Sequence, residues 1–241
     1  MADNLLTVVL PVYNEGENIR GTLAGLLEKV KTPCQILVVY DFEEDSTLPP
    51  LAAFLAERSL GEEKVKKVRN AYGKGVLFAI RTGLEQAQGK YAVVTMADLC
   101  DPPEVIDEMV KKAEEGSFDV VCGSRYMKGG SQTGGPVLKG LLSRLAGLSL
   151  HFLAGVPVHD ATNSFKLYRK SFLQENVIES SGGFELGLEL VVKAFLQGRK
   201  VGEVPTSWVD RVAGESHFKL FRWLPKYLKW YFKAFFGRRK K

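Results

Sequence analysis

Residues 90–104 read KYAVVTMADLCDPPE, and the parsing of this stretch decides the fold. KYAVVTMAD (90–98) is an apolar, β-branched run that reads as a buried strand, and the prolines at 102 and 103 open the helical PPEVIDEMVKKAEEG (102–116). Three carboxylates, Asp98, Asp101 and Glu104, crowd into seven residues at the strand's carboxyl end. The same order of apolar strand, polar turn and amphipathic helix recurs in both directions from this point.

Towards the N-terminus, LLTVVLPVY (5–13) and QILVVYD (35–41) read as strands, and KVKKVRN (64–70) as a short one. Between them lie three helical segments: NEGENIRGTLAGLLEKV (14–30), which opens on Asn14, TLPPLAAFLAERS (47–59), and GKGVLFAIRTGLEQAQG (73–89). FDVVCGSRY (118–126) is the next strand. Near-continuous apolar strands alternating with helices predict an α/β protein whose mostly parallel sheet is covered on both faces. After Tyr126 the pattern changes. MKGGSQTGG (127–135) reads as a flexible loop, and PVLKGLLSRLAGLSLHFLAGVPV (136–158) as a long, weakly polar helix. HDATNSFKLYRKSFL (159–173) mixes strand and turn residues, GGFELGLELVVKAFLQG (182–198) is a helix, and KVGEVPTSWVDR (200–211) a further strand.

The 241 residues, 45% hydrophobic and 25% charged, are those of an ordinary globular chain. Cys34, Cys100 and Cys122 show neither disulfide nor metal-ligand spacing, which predicts a reduced, intracellular protein. No signal-peptide pattern and no membrane-spanning run of apolar residues is present, so a cytoplasmic location is expected. The net charge of +5 is uneven: nine cations and no acid follow Ser216, which leaves residues 1–215 at −4. The chain therefore divides into a body, 1–215, and a basic, aromatic, amphipathic helix, 216–241. In that helix the cations at 219, 222, 226, 229 and 233 form one stripe. Such a helix can lie on an anionic membrane surface, with 137–156 beside it, or can pack on the sheet or against a second copy as a homodimer. Without a nucleic-acid recognition motif, nucleic acid is not expected as a partner.

Ligands of open α/β sheets bind at the carboxyl ends of strands, and the suggestive clusters all fall there. In PVYNEGEN, Tyr13 and Glu15 can stack on and hydrogen-bond a nucleobase. In YDFEEDST, Asp41 can accept hydrogen bonds from a base or ribose, while Glu43, Glu44 and Asp45 read as an acidic turn. Asp98 and Asp101 can share a hard cation such as Mg²⁺ or Mn²⁺, which would bridge a diphosphate. Asp101 can equally cap the helix that starts at Pro102.

Taken in order, PVYNEGENI, the Asp after the second strand, GKGVLFAIRTGLEQAQGKYAVVTMADLCDPPE, CGSRYMKGG and HDATNSFKLYRK resemble the family 2 glycosyltransferases. Within that family the chain is most similar to the polyprenol-phosphate, dolichyl-phosphate-mannosyltransferase-like branch, over roughly residues 5 to 220. The resemblance implies a GT-A nucleotide-sugar-binding fold, inverting sugar transfer to a polyprenyl phosphate, a divalent cation, and a peripheral place on the cytoplasmic face of a membrane. It also implies that Pro11, Tyr13, Glu15 and Asp41 frame the nucleotide, that Asp98 is the second acid of the metal motif, and that Arg125, Lys139 and Ser143 grip the acceptor phosphate. Arg211 would lie over the donor diphosphate.

Two departures stand out. The family commonly reads Asp-Ala-Asp-Leu-Gln where this chain has Met96-Ala97-Asp98-Leu99-Cys100, so one acid and one amide are lost and Asp101 is the candidate to compensate. A paired Asp-Asp is usual where Tyr40 and Asp41 stand here. A lipid-phosphate acceptor is already anionic and needs no base, whereas a saccharide hydroxyl would need one, with Glu185, Glu189 and Asp160 as candidates. A third reading keeps the nucleotide-sugar pocket but, with the metal site weakened, little turnover.

Overall fold

The computed structural model describes residues 5–98, 100–210 and 220–240. In chain order the elements are β1 (Leu6–Pro11), α1 (Ile19–Lys29), β2 (Cys34–Tyr40), α2 (Leu48–Glu57), β3 (Val65–Arg69), α3 (Val76–Gln86), β4 (Tyr91–Val94), α4 (Val105–Gly116) and β5 (Val120–Ser124). There follow β6 (Ser131–Thr133), α5 (Val137–Phe152), β7 (Lys166–Arg169), α6 (Lys170–Glu175), α7 (Glu185–Leu196), β8 (Val201–Pro205), β9 (Ser207–Val209) and α8 (Leu220–Phe236).

Seven strands form one sheet in the order β3-β2-β1-β4-β7-β5-β8. All pairings are parallel except those of β7, which runs antiparallel to both β4 and β5. Alternate residues of each strand face opposite layers, as the period of two requires. Val8 and Leu10 of β1, with Ile36 and Val38 of β2, pack among Ile19, Leu23, Phe54 and Met109 of α1, α2 and α4. Val9, Leu37, Val39 and Val94 face Leu77, Ile80, Leu190 and Trp230 of α3, α7 and α8. Helices thus cover both faces, as the sequence predicts, and the architecture is of GT-A type.

Three local readings change. The helix expected from Asn14 begins at Ile19, because Asn14 sits in the left-handed region at φ 55°. Its N–H donates to Asp45 Oδ1 at 3.0 Å, and Glu15 N–H to Thr47 Oγ1 at 2.9 Å, so the stretch is held to the next loop instead. Asp45 is buried and also accepts from Thr47 N–H at 2.9 Å, so it fastens two loops and is more than an acidic turn. The segment read as a loop after Tyr126 contributes β6, which pairs in parallel with β9.

Helix α8 lies against α7 and buries Trp230, 1% exposed, and Ala234. It also touches α5, where Tyr231 and Ser149 share a hydrogen bond of 2.9 Å between their hydroxyls. No helix among the described residues is long and apolar enough to cross a membrane.

Candidate active site

The carboxyl edge of the sheet gathers the polar side chains. At the end of β1, Pro11 is buried in register with Val39, and just beyond it Val12 N–H donates to Val39 O at 2.9 Å. Tyr13, half exposed, meets Phe42 edge-on with ring centroids 5.7 Å apart, and the Lys74 ammonium lies over the Phe42 ring at 4.7 Å. The result is an aromatic shelf with a cation at its rim, on which a flat heteroaromatic ring can stack. Phe42 and Lys74 escape the sequence reading, although an aromatic residue directly after Asp41 and a lysine between two glycines were visible. Glu15 accepts from Asn18 Nδ2 at 2.7 Å.

Asp41, at the exit of β2, accepts from Asn70 Nδ2 at 2.7 Å and from Gly75 N–H at 2.8 Å. Its carboxylate therefore shapes the turn before α3, where Gly73 and Gly75 have φ of 96° and 132°, a region open chiefly to glycine. Each carboxylate oxygen keeps a lone pair for a further donor.

Past β4, Asp98 Oδ1 accepts from Cys100 N–H at 3.2 Å, and Cys100 O accepts from Val209 N–H at 3.0 Å, which ties the acidic turn to β9. Asp101 does not cap α4: the N-cap position is Glu104, and no side chain caps that helix end. Instead Asp101 is buried, and its Oδ1 has no hydrogen-bond partner among the described residues. Burial pushes its carboxyl up to about 7, against the pull of the Arg125 charge and with the Asp98 charge adding to the rise. A buried acid with one unsatisfied oxygen is costly, and that oxygen is a ready donor to a cation.

Arg125 follows β5. Its Nε donates to Asp160 Oδ2 at 2.7 Å, and Nη2 to Asp160 Oδ1 at 3.1 Å and to Ser143 Oγ at 2.9 Å. Ser143 Oγ is 2.6 Å from Thr162 Oγ1 and accepts from the Tyr126 hydroxyl at 3.0 Å. Burial would raise the fully buried Asp160, but the Arg125 charge and hydrogen bonds outweigh it and hold the carboxyl below its ordinary value. Of the five N–H groups of the guanidinium, those on Nη1 donate to none of the described residues. Lys139 lies one turn before Ser143 on α5. The structure thus brings Arg125, Ser143 and Asp160 into contact across 35 residues of sequence. Tyr126 and Thr162, unnamed by the sequence reading, complete that network. Arg211 lies outside the described residues.

The three carboxylates considered as bases are otherwise engaged. Asp160 belongs to Arg125; Glu185 accepts from the N–H groups of Ser181, Gly182 and Gly183; Glu189 accepts from Glu179 and Ser180 N–H and pairs with Lys193 at 2.7 Å. Among the described residues no group of three or more His, Cys, Asp and Glu side chains is placed to hold a metal ion. Asp41, Asp98 and Arg125 follow β2, β4 and β5, four strand positions apart at most, so they spread along roughly 19 Å of one edge.

Comparison with known proteins gives this edge its context. The model of the family described as glycosyl transferase family 2 matches residues 7–177. A dolichol-phosphate mannosyltransferase of Pyrococcus furiosus is 30% identical over 236 residues, which take in 93% of this chain and 64% of that protein. A polyprenol monophosphomannose synthase of Mycolicibacterium smegmatis is 28% identical over 232 residues, covering 90% of this chain and 85% of its own. The chain therefore spans just under two thirds of the length of the Pyrococcus relative. Among solved structures, glucosyl-3-phosphoglycerate synthase of Mycobacterium tuberculosis, in complex with Mn²⁺, uridine diphosphate and phosphoglyceric acid, superposes with a TM-score of 0.69 at 16% identity, covering 100% of this chain and 81% of that chain. The same protein with Mg²⁺ and uridine diphosphate gives 0.69 at 15% identity, covering 100% and 82%. At that identity the likeness is one of fold.

Proposed function

The chain belongs to glycosyl transferase family 2, and on that footing we propose that it transfers a sugar, with inversion, from a nucleotide-sugar donor to a polyprenyl phosphate at a membrane surface. Residues 1–215 would be the catalytic body and 216–241 its membrane-facing appendage. One observation carries this reading. Helix α5 has Ser143 in the Arg125 hydrogen-bond network, while Val137, Leu138, Leu141, Leu142 and Leu145 of the same helix are exposed, Val137 at 85%. A single helix thereby joins a phosphate-binding group to a lipid-like surface, the two ends of a polyprenyl phosphate. Beside α5, the outward face of α8 offers Leu228, Phe232 and Phe236. Apolar patches of this kind on otherwise well-packed proteins mark interaction sites, and basic residues near them favour the anionic leaflet that faces the cytoplasm.

In the reaction an oxygen of the acceptor phosphate forms the new bond to the anomeric carbon. The bond from that carbon to the donor diphosphate breaks on the opposite face, and its electron pair leaves with the nucleoside diphosphate. The nucleophile is anionic already, so no proton moves, which agrees with the engagement of Asp160, Glu185 and Glu189. The protein's part is positioning and charge stabilisation. Arg125 Nη1, Ser143 and Lys139 would hold the acceptor phosphate, and Arg211 the donor diphosphate. Pro11, Tyr13, Glu15 and Asp41, with Phe42 and Lys74, would hold the nucleotide.

Asp98 and Asp101 fit a divalent cation as two oxygen donors, because Mg²⁺ is commonly held by one or two carboxylates together with substrate phosphates and water. The unsatisfied Asp101 Oδ1 is the observation behind that fit. Mg²⁺ or Mn²⁺ bound there would supply charge neutralisation for the departing diphosphate.

The test is direct: radiolabelled nucleotide sugars are incubated with the full chain and polyprenyl phosphate, and label is counted in the organic phase. Lipid-linked product is expected for at least one sugar nucleotide; label appearing only on added saccharides would replace this acceptor with a hydroxyl. For the aromatic shelf, Phe42→Ala and Lys74→Ala are each expected to raise donor KM about ten-fold with little change in kcat, as loss of one base-stacking contact implies. An unchanged KM in both variants would put the base elsewhere.

A further inference from the structure

Of the cationic stripe of α8, the described side chains of Lys226, Lys229 and Lys233 all reach partners on the body of the protein. The exposed positions among the described side chains of α8 are Pro225, Leu228, Lys229, Phe232 and Phe236, the last at 82%, and all but Lys229 are apolar. The lysines turn back toward the body. Lys226 Nζ donates to Ser181 O at 2.7 Å, while Lys229 and Lys233 approach the Glu179 carboxylate at 3.5 and 3.9 Å. Lys193 of α7 reaches the same carboxylate at 2.9 Å. These three ammonium groups also surround the Trp230 ring at 4.5 to 5.3 Å from its centroid. Glu189, the other acid at this place, is fully buried and already holds Lys193 and the 179–180 backbone. Glu179 is therefore the solvent-side counter-ion for three lysines. Its hydrogen bond with Lys193 and the charges of Lys233 and Lys229 keep it below its ordinary pKa, so it stays ionised.

Lys229 and Lys233 remain about half open to solvent and flank the outward apolar line, with Lys229 one turn from both Pro225 and Phe232. Arg238, Arg239 and Lys240 continue the exposed positive charge beyond the helix. Three ammonium groups sharing one exposed carboxylate can exchange it for another anion, provided that the anion arrives where the apolar line is buried. A phospholipid headgroup satisfies both conditions, since its phosphate lies at the level to which an interfacial helix sinks.

We propose that Glu179 occupies the place of an anionic lipid phosphate, so that α8 docks on a membrane by exchanging Glu179 for headgroups at Lys229 and Lys233. The proposal rests on the membrane-surface reading above and adds its regulation: the internal carboxylate sets how much lipid charge is needed before α8 engages. Removal of that competitor should tighten binding to anionic bilayers only.

The experiment is vesicle flotation of the full chain and of Glu179→Gln, with phosphatidylcholine alone and with phosphatidylcholine containing phosphatidylserine. E179Q is expected to partition more tightly onto the phosphatidylserine vesicles, by about five-fold for each lysine released, with a steeper salt dependence and no change on phosphatidylcholine. In the Lys229→Ala, Lys233→Ala background the same substitution should have no effect. Equal or weaker partition of E179Q onto phosphatidylserine vesicles overturns the exchange and leaves the membrane reading intact. Failure of the wild-type chain to float with either vesicle overturns the membrane reading itself. Inorganic phosphate that raises the melting temperature of E179Q without any tightening on vesicles assigns the place to a soluble anion, and again overturns the lipid.

Discussion

Arg125→Ala is expected to reduce kcat/KM for sugar transfer by about 10²–10³-fold and to cost roughly 3–5 kcal/mol of stability. Both effects come from the same geometry. Arg125 is nine-tenths buried, and its partner Asp160 is fully buried with both carboxylate oxygens on the guanidinium. Truncation leaves an ionised carboxylate without its counter-charge in a dry place, which costs far more than the intact pair contributes. The fork also orients Ser143 and, through it, Tyr126 and Thr162, so the whole proposed acceptor grip loosens at once.

Arg125→Lys separates the two losses. It keeps the charge beside Asp160 and should recover much of the stability, but the three donors of an ammonium cannot hold both Asp160 oxygens, Ser143 and an acceptor phosphate together. Transfer should stay at least ten-fold down, with KM for polyprenyl phosphate carrying most of the loss. The pH signature has a defined sign. Asp160 is held below its ordinary pKa, so its contribution to stability is fully present above about 4. That contribution is lost as pH falls through the depressed folded value. Chemical denaturation between pH 7 and pH 3 should show this acid-side loss in wild type and not in R125A. Wild-type transfer by R125K would remove Arg125 from the acceptor site.

How legible these features were in the sequence depends on the range of the interactions that make them. Val8, Val9 and Leu10 announce a two-sided strand through neighbours alone, and the carboxyl-edge positions of Asp41, Asp98 and Arg125 follow from the strand ends. The antiparallel β7 was not legible. Four residues, two of them Lys166 and Arg169, give no alternation to read, and only their pairing with Val94 and Cys122 fixes direction. Ser143 reaches Arg125 because α5 docks where it does, a tertiary event that periodicity cannot report. The α8 stripe shows the same division. Its spacing was plain from the sequence, but the side it faces is decided by Glu179 and Trp230, which no local pattern connects.

Asp101 gives the second large effect, and one of unusual sign. In metal-free buffer the folded chain keeps a proton on Asp101 up to about pH 7, whereas an unfolded aspartate releases it near 3.8. Between those values the native state binds more protons than the unfolded one, so this group makes stability fall as pH rises. A raised pKa of this size amounts to about 4 kcal/mol at pH 8, or on the order of 10 °C in melting temperature for a chain of this length. Asp101→Asn preserves the shape and removes the ionisation. The variant should match wild type near pH 4, gain on it steadily through pH 7, and then hold a constant lead. Mn²⁺ provides the complementary test, since a cation that binds only the folded state stabilises it. At pH 8 the metal should raise the melting temperature of wild type and narrow or erase the lead of D101N, because the asparagine offers no charge to the ion. If D101N and wild type run parallel from pH 4 to 8, Asp101 titrates as an ordinary solvated carboxylate. If instead the pH dependence appears but Mn²⁺ leaves both proteins unmoved, the buried acid is real and the cation binds only together with the donor diphosphate or not at all.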